Sequence, residues 1–147
     1  MSATTLNPGL ATLRRENVIR ATALLGLTLV VAVLVHSYNM FGYPLYLGDE
    51  GIYMSQAYAA LKMGRITPYT YWYDHAPAGW LLIALWSAIT GGFNSFGTAV
   101  DGGRVLMLLL HIFSVILLFR ITEWITANVF AATAAGLLYA LSPLTVI

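Results

Sequence analysis

The sequence contains no cysteine. That excludes disulfides, thiolate metal sites and a cysteine nucleophile, and it leaves the redox compartment unreadable. Charge is nearly as scarce. Only 9% of the 147 residues are charged, and seven Lys/Arg against six Asp/Glu leave a formal net charge of +1. So even a balance gives no basic field for nucleic acid, and no nucleic-acid partner is expected. The sequence holds no Walker A loop and no Gly-x-Gly-x-x-Gly following a strand, so a nucleotide cofactor is not expected either. His-Glu-x-x-His and the Gly-x-Ser-x-Gly elbow are also absent. There is no internal repeat and no low-complexity segment.

What is abundant is apolar surface. Hydrophobic residues make up 59% of the chain, and the mean hydropathy is +0.77. Soluble domains carry about 45–50% apolar and about 25% charged residues. The excess here has too little interior to hide in, and a bilayer is its natural solvent. Disorder is excluded by the same comparison. Nine Tyr and four Trp suit the headgroup level of a membrane. The expected class is an all-α, polytopic membrane protein with three transmembrane helices and a large first extracytoplasmic loop.

The chain divides accordingly. Residues 1–17 are expected as a cytoplasmic tail, with Asn7-Pro8-Gly9 as a turn signal. Residues 18–40 are the first span, about 35 Å as helix, enough for a hydrocarbon core of about 30 Å. A signal peptide is the competing reading. The apolar run is long for one, and no small-x-small cleavage site follows it. Arg14, Arg15 and Arg20, opposed only by Glu16, place the N-terminus inside by charge bias. Residues 41–103 are then extracytoplasmic. Within them, 49–63 is expected as an interfacial helix ended by Gly64. Ile66 to Tyr73 is read as an extended aromatic loop, because Pro68 weakens a strand. Pro77 opens a helix over 78–90 that is too short to span and fits a re-entrant or surface-lying segment. Residues 104–120 form the second span, 121–124 a cytoplasmic turn and 125–147 the third span. The small-sided Ala131–Gly136 stretch permits close helix packing, and Pro143 would kink or end the helix. Apolar residues run to Ile147, so the chain is expected to be part of a longer membrane protein.

The residues that could carry chemistry cluster in the 41–103 segment. Asp49 and Glu50 are adjacent carboxylates just past the first span. One could act as general base toward an attacking hydroxyl. With His75 or Asp74 they could ligate a divalent cation. The plain alternative is an acidic pair favourably placed at a helix start. His75, at the mouth of the helix opened by Pro77, could bind phosphate, orient a carboxylate or ligate metal, or be a solvent-facing loop histidine. Lys62, Arg65 and Arg104 are candidates for a lipid phosphate, or, for Lys62 above all, an interfacial anchor. His111, inside the second span, reads as a packed or hydrogen-bonded histidine rather than a ligand.

Taken in order, these pieces resemble the N-terminal part of an integral-membrane glycosyltransferase of the GT-C class, nearest the protein O-mannosyltransferase and aminoarabinose-transferase-like branch. The resemblance runs from about residue 18 to 145. It rests on Asp49-Glu50 after a first span, then Tyr53 and an Ala-rich helix to Gly64. It continues with His75-Ala76-Pro77-Ala78-Gly79-Trp80 before an apolar helix, and with Arg104 opening a span. Ala76 stands where the family has its first proline, and Ala78 where it has leucine. The resemblance implies a cell-membrane enzyme that takes a sugar from a polyprenyl-phosphate donor at the outer face. The acceptor would be a protein, lipid or cell-wall glycan hydroxyl, and the anomeric centre is usually inverted. It implies Asp49 as catalytic base. Glu50 and His75 would shape the pocket or help hold a cation, and Arg104 would contact the donor phosphate. Tyr53, Lys62 and Arg65 would complete the substrate-binding set. Membrane lipids are the remaining partner, and this portion alone is expected to be inactive. Two other readings stand beside it: a non-enzymatic three-span accessory protein and a transporter fragment. The latter needs ionisable groups at the membrane midplane, where His111 alone qualifies.

Overall fold

The computed structural model describes residues 8–43, 45, 48–65, 67 and 77–142, with side chains from Arg15 onward. The elements among them are all helices: α1 (Pro8–Ser37), α2 (Gly48–Met63), α3 (Ala78–Ile89), α4 (Ala99–Thr126) and α5 (Val129–Ala140). Two of them are long and apolar enough to cross a membrane, one over Arg15–Ser37 and one over Ala99–Thr126. Only 17% of the most apolar window of each is buried within the protein. The core helix of a soluble protein would be mostly buried, so their outward surface matches a lipid solvent better than an aqueous one.

The chain folds as two units, Met1–His36 with His111–Ile147, and Ser37–Leu110. In the first, α1, the C-terminal part of α4, and α5 pack through small and branched side chains. One cluster joins Leu25, Phe119 and Ala132, and another joins Ala32, Val115 and Ala140. Thr28 is fully buried between them, and its hydroxyl donates to Leu24 O at 2.8 Å, so the polar group is satisfied inside its own helix. Gly136 makes the approach possible. A Cβ there would lie 2.9 Å from Thr28 Cγ2 and 3.8 Å from Val115 Cγ1. Gly136→Val should therefore overpack the site and destabilise the chain by about 1–3 kcal/mol, read as a lower melting temperature in detergent. An unchanged melting temperature would mean that α5 can shift away at no cost.

Several boundaries differ from the sequence expectation, each for a local reason. Residues 8–17 continue α1, and no break separates a tail from the apolar run. The helix ends at Ser37, where Asn39 takes a positive φ of 53° and its carbonyl accepts from the N–H groups of Gly42 and Tyr43. α4 begins at Ala99, before Arg104. Thr98 and Asp101 cap it reciprocally: Asp101 Oδ2 accepts from Thr98 N at 3.1 Å, and Thr98 Oγ1 accepts from Asp101 N at 3.2 Å. This is a capping box with Asp in the fourth position. The expected turn at 121–124 is helical. Arg120 and Glu123 form an i,i+3 ion pair at 3.0 Å on the helix surface, and charge there decorates the helix without breaking it. The turn comes later, at Ala127 (φ 49°) and Asn128. Asn128 Oδ1 accepts from Phe130 N and Ala131 N and so caps α5. Asn128→Ala should cost about 1 kcal/mol, and a stability unchanged within error would assign the turn to backbone forces alone. α5 has 12 residues. Its expected continuation over 143–147, with Pro143, lies outside the described residues.

In the second unit α2 and α3 pack against each other and against Leu106 of α4. Ala57, Ile83, Ala84 and Leu106 form the core, flanked by Tyr53, Met54, Trp86 and Phe93. Pro77 precedes α3, and Leu81 N donates to its carbonyl at 3.0 Å. After α3, Gly92 N reaches back to Ser87 O at 2.8 Å, with Gly91 at φ 94°. That six-to-one closure needs a left-handed residue, which glycine adopts without Cβ strain. At 12 residues, α3 is about 18 Å long, short of a hydrocarbon core.

Candidate functional site

Asp49 and Glu50 occupy the first turn of α2. Negative charge is favoured there by the unpaired N–H groups and by the helix dipole. Adjacent helical positions diverge by roughly 100°, and the two carboxylates part company. Glu50 makes a side-on, two-point contact with Arg104. Oε1 accepts from Nε at 2.9 Å and Oε2 from Nη2 at 3.0 Å. Asp49 is exposed, with no hydrogen-bond or ion-pair partner among the described residues.

Arg104 is the more buried partner of this pair, its side chain 11% exposed against 27% for Glu50. Its remaining terminal nitrogen, Nη1, donates to the Met40 carbonyl at 2.7 Å. One guanidinium thus ties the turn after α1's last residue to the start of α2, from a position on α4. The planar fork suits this task, since it presents several donors in fixed directions. The pairing joins residues 54 apart in sequence and has no local signature. A charged residue near a span was legible, but its partner was not.

The other expected site residues are distributed differently. Tyr53 is half-buried and packs on the core of the unit. Lys62 lies in the last turn of α2, where a cation complements the helix end. It is about 20 Å along the helix axis from Asp49, beyond the reach of one phosphate. Arg65 follows Gly64 beyond that same end and is exposed. Lys62 and Arg65 are therefore not brought together with Asp49. His75 and Asp74 lie outside the described residues.

Among the described residues no group of three or more His, Asp or Glu is gathered to hold a metal ion. Glu50 fits the expected cation set poorly, because both its oxygens already face a guanidinium, and a dication beside Arg104 would be repelled. Asp49 has no such conflict.

Three features had weaker sequence signals or none. Gln56 is buried, and its Oε1 accepts from Thr67 N at 3.0 Å. Trp86 Nε1 donates to Gly102 O at 2.9 Å, and its ring stacks on Phe96. In the first unit the half-buried His111 ring lies against His36, tilted by 36° with centroids 3.8 Å apart, and stacks on Tyr139 at 5.1 Å. His36 Nε2 lies 3.0 Å from Ala140 O. His111 Nε2 is buried with no hydrogen-bond partner among the described residues.

Compared with protein-family models, curated proteins and solved structures, the chain has no match in sequence or in fold.

Proposed function

We propose that this chain is the N-terminal part of an integral-membrane glycosyltransferase of the GT-C class, with three spans, a cytoplasmic N-terminus and residues of about 41–103 on the outer side. The enzyme transfers a sugar from a polyprenyl-phosphate donor to the hydroxyl of a protein, lipid or cell-wall glycan. Asp49 accepts the proton of that hydroxyl as its oxygen attacks the anomeric carbon. The bond to phosphate breaks, and its electron pair leaves with the polyprenyl phosphate. Arg104 and Glu50 position the helix start that carries Asp49. With Nε, Nη1 and Nη2 all on protein acceptors, Arg104 is assigned to positioning rather than to the donor phosphate. No step is routed through a metal ion.

The observation that carries the reading is the contrast within one dipeptide. Glu50 is fully engaged, while Asp49 stands beside it with an open carboxylate. A purely structural acidic pair would need neither that contrast nor the clamp. The test is sugar transfer by the full-length enzyme carrying Asp49→Asn, with lipid-phosphate sugars as donors. Loss of transfer in a folded variant supports the assignment. Near-normal turnover overturns Asp49 as the base, and absence of transfer by the unsubstituted protein favours the accessory-protein reading.

A further inference from the structure

A half-open cleft of about 400 Å³ lies in the first unit between α1 and the end of α4, lined by Asn17, Val18, Ala21, Thr22, Arg120 and Glu123. On both helices it falls where the apolar run meets charge: at Arg20-Ala21 on α1, and at Phe119-Arg120 on α4. In a membrane-spanning pair that boundary is headgroup depth. The lining carries one cation and one anion. Arg120 Nη1 is paired with Glu123 Oε2, which leaves the Nε/Nη2 edge of the guanidinium and Oε1 of the carboxylate without partners among the described residues. The side chains of Asn17 and Thr22 are likewise unpaired there. Val18 and Ala21 give the cleft an apolar wall.

We propose that this cleft binds the zwitterionic headgroup of phosphatidylethanolamine. The lipid phosphate accepts from the open edge of Arg120 and from Asn17 and Thr22, and the lipid ammonium donates to Glu123. Both contacts are charge-assisted hydrogen bonds of complementary sign. A purely anionic headgroup would face Glu123 with like charge. A quaternary choline headgroup has no N–H to donate to it. The inference rests on the membrane reading and is independent of the transferase chemistry.

The test has two stages. The full chain is first mixed with phosphatidylcholine vesicles and floated. It is then solubilised and offered equal amounts of phosphatidylethanolamine, phosphatidylcholine and phosphatidylglycerol, and the retained lipid is weighed by native mass spectrometry. Insertion followed by at least about fivefold preference for phosphatidylethanolamine is expected, with the preference lost in Glu123→Gln and in Arg120→Gln. Both positions are solvent-facing enough to keep the fold, checked by helicity. Equal retention of the three lipids, preference for phosphatidylglycerol, or a preference that survives Glu123→Gln overturns the site while leaving the membrane reading intact. Competition by soluble glycerophosphoethanolamine at the lipid's own concentration overturns the lipid as occupant. Failure to float overturns the membrane reading and this inference with it.

Discussion

Under the proposed transferase function, Asp49→Asn in the full-length protein is expected to lower sugar transfer by about 10²–10⁴-fold, the usual worth of a positioned general base. The substitution keeps the side-chain shape and removes the proton acceptor. Asp49 is exposed and without a partner among the described residues, so the amide strands no buried charge and stability should hold. The loss should fall on turnover more than on donor binding, since the carboxylate acts on the acceptor hydroxyl. Asp49→Glu lengthens the arm by one methylene and should recover part of the rate. Equal loss in the Asn and Glu variants together with lower stability would mark Asp49 as a structural residue at the helix start. Full activity in Asp49→Asn would remove the base from the reaction.

Arg104→Ala should be the most damaging single change for stability in the second unit. It removes the guanidinium from which both Glu50 oxygens and the Met40 carbonyl accept. Removing one partner of a buried pair costs about 3–5 kcal/mol. Glu50 retains some access to water, which screens the loss, so about 2 kcal/mol is the expected cost. That corresponds to a fall in melting temperature on the order of 5 °C. Arg104→Lys keeps the charge but offers a single ammonium where three acceptors wait in different directions, and should recover less than half of the loss. The exchange Glu50→Arg with Arg104→Glu restores opposite signs. It also turns a carboxylate toward the Met40 carbonyl, so it should rescue only partly. Full rescue by the exchange would show that sign alone matters and that the three-way geometry does not.

Sequence reading fared differently for different parts of the chain. Periodicity and Gly/Pro punctuation located α2 and α3 within about one residue, because the signals there are local: a glycine pair after α3, Pro77 before it, Gly64 after α2. The ends of α4 do not fall at the charged residues that bound its apolar run. Arg104 is well inside the helix, and Arg120 and Glu123 decorate its surface. The true signals, Thr98-x-x-Asp101 and Asn128, are caps that a closer look at polar spacing could have found. Asp49 and Glu50 stood out as a pair, but their division of labour depends on a contact 54 residues away. The same holds for Thr28 and Gly136, whose fit depends on two helices meeting. Such long-range complementarity has no period to read.

The cap at Thr98 and Asp101 also sets the angular phase of α4. Arg104 follows Asp101 by three residues, so its direction is fixed by where the helix is nucleated. Substitutions along this stretch change chemistry one side chain at a time. A one-residue insertion between Asp101 and Arg104 would instead rotate the guanidinium by roughly 100° and turn it off Glu50, with every side chain still present. A seven-residue insertion would nearly restore the angle, yet displace Arg104 by about 10 Å along the axis. The dipeptide that carries the proposed base is therefore protected by spacing as much as by identity, and length variation should be rarer between Thr98 and Arg104 than in the turn between α4 and α5.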